Sequence, residues 1–200
     1  DGAGFWSVEP IVYTFRSEAD SESAGRRGPW EAKQHYVRNT NVLVTTFTES
    51  GGDQFEIVDF APRFETLHGY HKPTQLMRVV RPLRGNPRVV IRCRPRFGYG
   101  QHEPRTINLS SGIYYESPGQ SLYLSTDVPL EYVLNETPFD LRESKHFVLS
   151  YGLPFRGNIR FDVEEQLERT IAYWRLWSKH CSIPFEFQNE VIRSALALKL

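Results

Sequence analysis

Residues 88–97 alternate between arginine and apolar side chains. Arg88, Arg92, Arg94 and Arg96 share one side of a period of two, and Val89, Ile91, Cys93, Pro95 and Phe97 share the other; Val90 breaks the rule. A period of two predicts a strand with one apolar and one basic face. The basic face is expected to meet carboxylates on neighbouring elements. β-Branched and aromatic runs predict further strands over residues 11–16, 34–38, 41–48, 54–60, 76–83, 105–109, 112–116, 121–125, 130–134 and 146–151. Residues 17–28 are polar and read as an exposed loop. The turn ESGGD (residues 49–53) joins 41–48 to 54–60 as a hairpin, and RGNP (residues 84–87) joins 76–83 to 88–96 as another. Strands recurring every about 8–12 residues with turn signals between them predict an antiparallel β-sandwich.

The pattern changes after residue 151. Residues 152–157 (GLPFRG) read as a linker. Asp162 and Glu165 have the spacing of a capping box, and Val163, Leu167, Ile171, Trp174, Trp177 and Cys181 follow at helical period. Glu164, Glu165 and Glu168 near its start, and Lys179 and His180 near its end, suit the helix macrodipole. Pro184 is the expected break, and a second helix is predicted over residues 185–200. Its apolar residues Phe187, Val191, Ile192, Ala195, Leu196, Leu198 and Leu200 cover more than one face, a pattern that calls for burial on both sides. The chain therefore reads as stopping inside a domain.

Composition narrows the function classes. With 200 residues the chain is long enough for one domain and a fraction, and 14% aromatic content argues against disorder. The formal net charge is +0, with 24 basic and 24 acidic residues. A nucleic-acid partner is not expected, because such binders usually carry a basic surplus that releases counterions. No run of 18 apolar residues occurs, so no membrane helix is predicted. DGAGFWSVEP lacks the basic-then-apolar pattern of a signal peptide, which points to a cytoplasmic location. Cys93 and Cys181 are expected as free thiols. The sequons at Asn108 and Asn135 matter only in a secreted protein.

Candidate chemistry is sparse. His68 and His71 share a loop without enough nearby ligands for a metal. Glu186 and Glu190 are four apart and read as complements to a helix dipole rather than as an acid–base pair. Asp59, inside an apolar strand, reads as a structural partner for an arginine of residues 76–96. Ser110-Ser111-Gly112 is no nucleophile elbow, and there is no phosphate-binding glycine motif. Trp6, Trp30, Tyr99, Tyr114 and Tyr115 are the types that stack on sugar rings, although a sandwich uses most such residues in its core. No catalytic or metal-ligating residue is assigned.

Four stretches together resemble glycoside hydrolase family 15, the bacterial-type glucoamylases, glucodextranases and trehalase-like proteins. NTNVLVTTFTESGGDQFEIVDFAP (residues 39–62) is similar to the family segment in which a TNVL strand leads through a turn into VTDFMP. LMRVVRPLRG (residues 76–85) resembles its RxVRxxRG strand. IRCRPRFGYG (residues 91–100) resembles its RPRFDYG segment, and YWRLWSKHCSIPFEFQNEVIRSALALKL (residues 173–200) resembles the helices that lead into its catalytic barrel. The resemblance covers nearly the whole chain. It implies a super-β-sandwich over residues 1–151 lacking its first strands, a linker and linker helix over 152–183, and the first helix of an (α/α)6 barrel over 184–200. It also implies inverting hydrolysis of terminal α-glucosidic bonds in an α-glucan or trehalose-type saccharide, by two glutamates beyond Leu200. No cofactor is implied, and the implied partner of the sandwich is its own catalytic domain. Gly98 departs from the family's usual Asp. A free-standing carbohydrate-binding β-sandwich is the rival reading.

Overall fold

The computed structural model describes residues 4–11, 29–181 and 186–200. The strands are β1 (Phe5–Pro10), β2 (Trp30–Tyr36), β3 (Leu43–Glu49), β4 (Gln54–Phe60), β5 (Phe64–Thr66), β6 (Gly69–His71), β7 (Gln75–Arg84), β8 (Arg88–Arg94), β9 (Arg105–Leu109), β10 (Gly112–Ser117), β11 (Gln120–Thr126), β12 (Phe139–Asp140) and β13 (Lys145–Tyr151). The helices are α1 (Leu130–Leu134), α2 (Ile159–Lys179) and α3 (Gln188–Lys199). The molecule is mainly β, with antiparallel sheets followed by helices. One eight-stranded sheet runs β2-β3-β4-β7-β13-β11-β10-β9, a three-stranded sheet runs β1-β8-β12, and β5 and β6 form a small ribbon.

The large sheet is buried on both faces along its centre. One face packs Phe55, Ile57, Val80, Ile113, Leu124 and Phe147 against Val8, Val89, Ile91 and Cys93 of the small sheet. The other packs Val44, Val58, Phe60, Met77, Val79 and Val148 against Val163 and Leu167 of α2. Neighbouring residues divide between the two faces: Ile57 from Val58, Val79 from Val80, Phe147 from Val148. A strand covered on both sides has no polar face, which is why these segments read as continuous apolar runs.

Several elements differ from the sequence expectation. Residues 76–83 and 88–96 are not a hairpin. β7 pairs with β4 and β13, whereas β8 pairs with β1 and β12. At Gly85 (φ 71) the chain crosses from one layer to the other. Both strands have an apolar side to bury, and crossing lets those sides share one core. Residues 130–134 are the helix α1, not a strand: Val133 alone is buried, and Asn135 N–H donates to Glu131 O at 2.9 Å. The cap of α2 is Asn158, whose side chain accepts from Phe161 N–H at 3.2 Å, so Asp162 lies inside the first turn. β1 was not anticipated. It is an edge strand, and its Pro10 sits at the terminal position where a missing N–H costs no ladder bond. Apart from Ile11, the strand expected over 11–16 lies outside the described residues, as do the loop 17–28 and the break at Pro184.

Candidate functional site

Arg92 and Arg94 of β8, and Arg96 just past it, do meet carboxylates. Arg92 Nε donates to Glu136 Oε2 at 2.9 Å and its Nη1 pairs with Glu9. Arg94 Nη2 reaches Glu136 Oε1 at 2.5 Å, and Arg96 pairs with Glu103. Glu136 follows α1 and has φ 49, a left-handed conformation that aims one carboxylate at two guanidiniums. Burial pushes the Glu9 carboxyl up, but hydrogen bonds from Ser7 and Arg92 outweigh it and hold it below the usual range. A cleft of about 590 Å³ opens beside this row, lined among others by Arg94, Arg96, Glu103, Thr106 and Glu136. The guanidiniums are already neutralised, so the row is no free polyanion surface.

Past β8, Phe97 is buried, and Gly98 (φ 58), Tyr99 (φ 57) and Gly100 (φ 90) form a left-handed turn. A Cβ at Gly98 would come within 2.7 Å of His102 Cδ2. That contact and the positive φ both favour glycine at this position. A second cleft of about 430 Å³ lies between this turn and β1.

Two further charged clusters hold the layers together. Asp59, expected to meet an arginine, receives both Arg78 Nε (2.6 Å) and Arg78 Nη2 (3.0 Å). The guanidinium also covers the Trp6 ring at 4.3 Å and donates to Trp6 O at 3.2 Å. On the opposite face of the sheet, His146 Nδ1 is 3.0 Å from Asp127 Oδ2 and Nε2 is 3.1 Å from Glu164 Oε1. Arg81 joins Glu164 at 2.5 Å and Glu56 at 3.4 Å. Burial alone would lower the His146 pKa, but hydrogen bonds to Asp127 and Glu164 prevail and raise it to about 9. The hydrogen bond from His146 lowers the Glu164 carboxyl, and Asp127 is lowered against its burial by the same ring. A doubly hydrogen-bonded imidazolium has no lone pair to offer, so this Asp–His–Glu set is a clamp between β13 and α2 rather than a general base. The sequence reading missed His146 and assigned Glu164 to the helix dipole. The available signal was a histidine entering an apolar strand, which seldom stays buried without a partner.

The remaining candidates disperse. His71 stacks on Phe64 and meets Gln166 Oε1 at 3.0 Å, while His68 is exposed in the turn. Among the described residues no three His, Cys, Asp or Glu converge on a metal position. Glu186 precedes α3 and Glu190 lies in its first turn. Ser110 and Ser111 lie at the β9–β10 turn. Trp30 packs edge-on to Phe55 in the core, and Tyr115 is buried with its hydroxyl donating to Cys93 O at 3.2 Å. Tyr114 stacks on Tyr123 at 4.5 Å. Cys93 and Cys181 are free thiols, and burial pushes the Cys93 thiol up to about 11.

α3 docks by one side. Leu196 is buried, Asn41 Nδ2 donates to Leu196 O at 2.8 Å, and Arg193 donates to Thr40 O at 2.7 Å. Ile192 and Ala195 are half-buried beside it, whereas Leu198 is 90% exposed and Val191 38%.

No family model matches the chain, and no solved structure matches it. Among curated proteins it is similar to one named Trehalase from Thermoplasma volcanium, 29% identical over 173 residues. It is also similar to one named Trehalase from Thermoplasma acidophilum, 26% identical over 178 residues. Each match covers 84% of this chain, but only 27% and 29% of the relatives' own length.

Proposed function

We propose that this chain is the non-catalytic, amino-terminal portion of a family 15-type glycoside hydrolase that cleaves trehalose or a related terminal α-glucosidic bond. The similarity to two proteins named Trehalase over 84% of the chain carries this reading. In it, residues 1–151 are the sandwich, 152–183 the linker and its helix, and 184–200 the first helix of a catalytic barrel. The open side of α3, where Leu198 is 90% exposed, supports the assignment, because a barrel helix must pack on both sides. The two glutamates that would protonate the leaving oxygen and activate water lie, in this reading, beyond Leu200. The clamp of His146, Asp127 and Glu164 ties α2 to the sheet, and in this reading α2 is the helix that leads toward the barrel.

The test compares this chain with the longer polypeptide that continues past Leu200. The longer protein is expected to release glucose from trehalose or maltooligosaccharides with inversion, seen as the β-anomer by proton NMR. The 200-residue chain alone is expected to release none. Turnover by the pure short chain, or none by the longer protein on either sugar, would refute the proposal.

A further inference from the structure

Tyr99 stands fully in solvent, at 107% of its reference exposure, on a backbone with φ 57. A bulky side chain in the left-handed region is an outlier, and no burial compensates for it here. The surroundings nevertheless impose it. Phe97 is buried, its N–H donates to His102 O at 2.9 Å, and His102 N–H donates back to Phe97 O at 3.0 Å. On the other side, Gly4 lets β1 lie so close that a Cβ there would meet the backbone nitrogen of Arg96. Strain held in this way is characteristic of ligand sites.

The turn borders the cleft of about 430 Å³, whose walls include Phe5, Trp6, Pro95, Arg96, Tyr99 and Leu149. That size falls in the range of about 300–1,000 Å³ usual for small-molecule sites. The lining divides into two chemistries. Phe5, 44% exposed, and Tyr99 present aromatic surface, with Pro95 and Leu149 beside them. Arg96 supplies donors. Arg96 pairs with Glu103 through Nη2, and its side chain is 29% exposed at the cleft, which leaves other N–H groups of its fork for a ligand. A pyranose has the matching division, with one apolar C–H face and a rim of hydroxyl acceptors.

We propose that this cleft is a saccharide-binding subsite on the sandwich itself, in which Tyr99 and Phe5 hold the apolar face of a sugar ring and Arg96 binds its hydroxyls. The choice of sugar as ligand rests on the glycosidase reading above. The subsite lies outside any barrel, so it holds substrate or product without acting on it.

The experiment titrates the 200-residue chain with trehalose and, separately, with maltotriose, followed by saturation-transfer NMR and tryptophan fluorescence. At least one sugar is expected to bind saturably. Tyr99→Gly is expected to weaken that binding about tenfold, the upper range for one aromatic contact. The same substitution is expected to raise the melting temperature, because glycine adopts φ 57 freely. Equal affinity of Tyr99→Gly and the parent chain, or no saturable binding of either sugar, overturns the subsite. Hydrolysis by the longer protein without binding here would remove the subsite and leave the glycosidase reading intact. Binding here without hydrolysis would do the reverse.

Discussion

Strands β7 and β8 are similar in letters and different in use. LMRVVRPLR and RVVIRCRPR both set arginines among valines and other apolar residues. β7 lies in the middle of the eight-stranded sheet, so its arginines emerge into interfaces: Arg78 between the two sheets, Arg81 under α2. β8 lies in the three-stranded sheet and turns Arg92 and Arg94 toward Glu9 and Glu136 at the surface. Exposure marks the extremes, with the side chains of Arg78 and Asp59 12% and 18% exposed and that of Arg94 60%, while Arg81 and Arg92 lie between at 30% and 29%. Periodicity predicts that an arginine face exists, but the layer on the far side of that face decides what each arginine is worth.

The largest expected effect follows from that difference. Arg78→Ala leaves the Asp59 carboxylate between the sheets without its bidentate partner and bares the Trp6 ring. Breaking a buried pair from one side costs about 3–5 kcal/mol. Replacing both members, as Arg78→Met with Asp59→Leu, should recover much of it, because no charge is then left stranded. Urea unfolding of the parent chain and the two variants checks this. A loss below about 1 kcal/mol for Arg78→Ala would mean that the pair is effectively hydrated.

Next comes the clamp under α2, whose signature is a pH profile. The folded His146 has a pKa of about 9, above its usual 6.5, so its contribution is complete below 6.5 and disappears as pH rises to about 9. Asp127 and Glu164 are shifted down, so their contributions are present above the usual carboxylate range and disappear on acidification. Stability is therefore expected to peak between about pH 5 and 6.5. His146→Gln should cost about 2 kcal/mol at pH 6, as expected for a charged hydrogen-bonded group, and flatten the decline between pH 6.5 and 9. Melting curves across that range provide the measurement, and an unchanged alkaline decline in His146→Gln would reassign it to another group.

Much of this arrangement was legible from the residues alone. The period of two at 88–97 gave the strand and its carboxylate partners in kind, and Asp59 in an apolar strand pointed to an arginine on 76–96. The crossing at Gly85 was not legible, because RGNP suits a hairpin turn and a layer change equally well. Residues 130–134 illustrate a second limit. LEYVL is compatible with a strand, but in the structure it closes into a short helix that buries Val133. That misreading concealed Glu136, whose position at the end of α1 makes it the shared partner of two arginines. His146 and Glu164 are 18 residues apart, and no local pattern reports which carboxylate a buried histidine will find.

The smallest effect is expected at Arg94, and there the contrast between the strands can be broken. Arg94→Ala leaves Glu136 still held by Arg92 Nε at 2.9 Å, so no group is orphaned. The Arg94 side of the lost pair is 60% exposed and screened by salt, which places the cost below about 0.5 kcal/mol. Phe5 loses the guanidinium 5.7 Å from its ring centroid, a contact too exposed to raise that figure much. Measured by urea unfolding in low and high salt, Arg94→Ala should be nearly indistinguishable from the parent, and more so in high salt. A loss comparable to that of Arg78→Ala would show that β8 carries its arginines as tightly as β7 does, and that the layer beyond the strand does not set the energy of its charges.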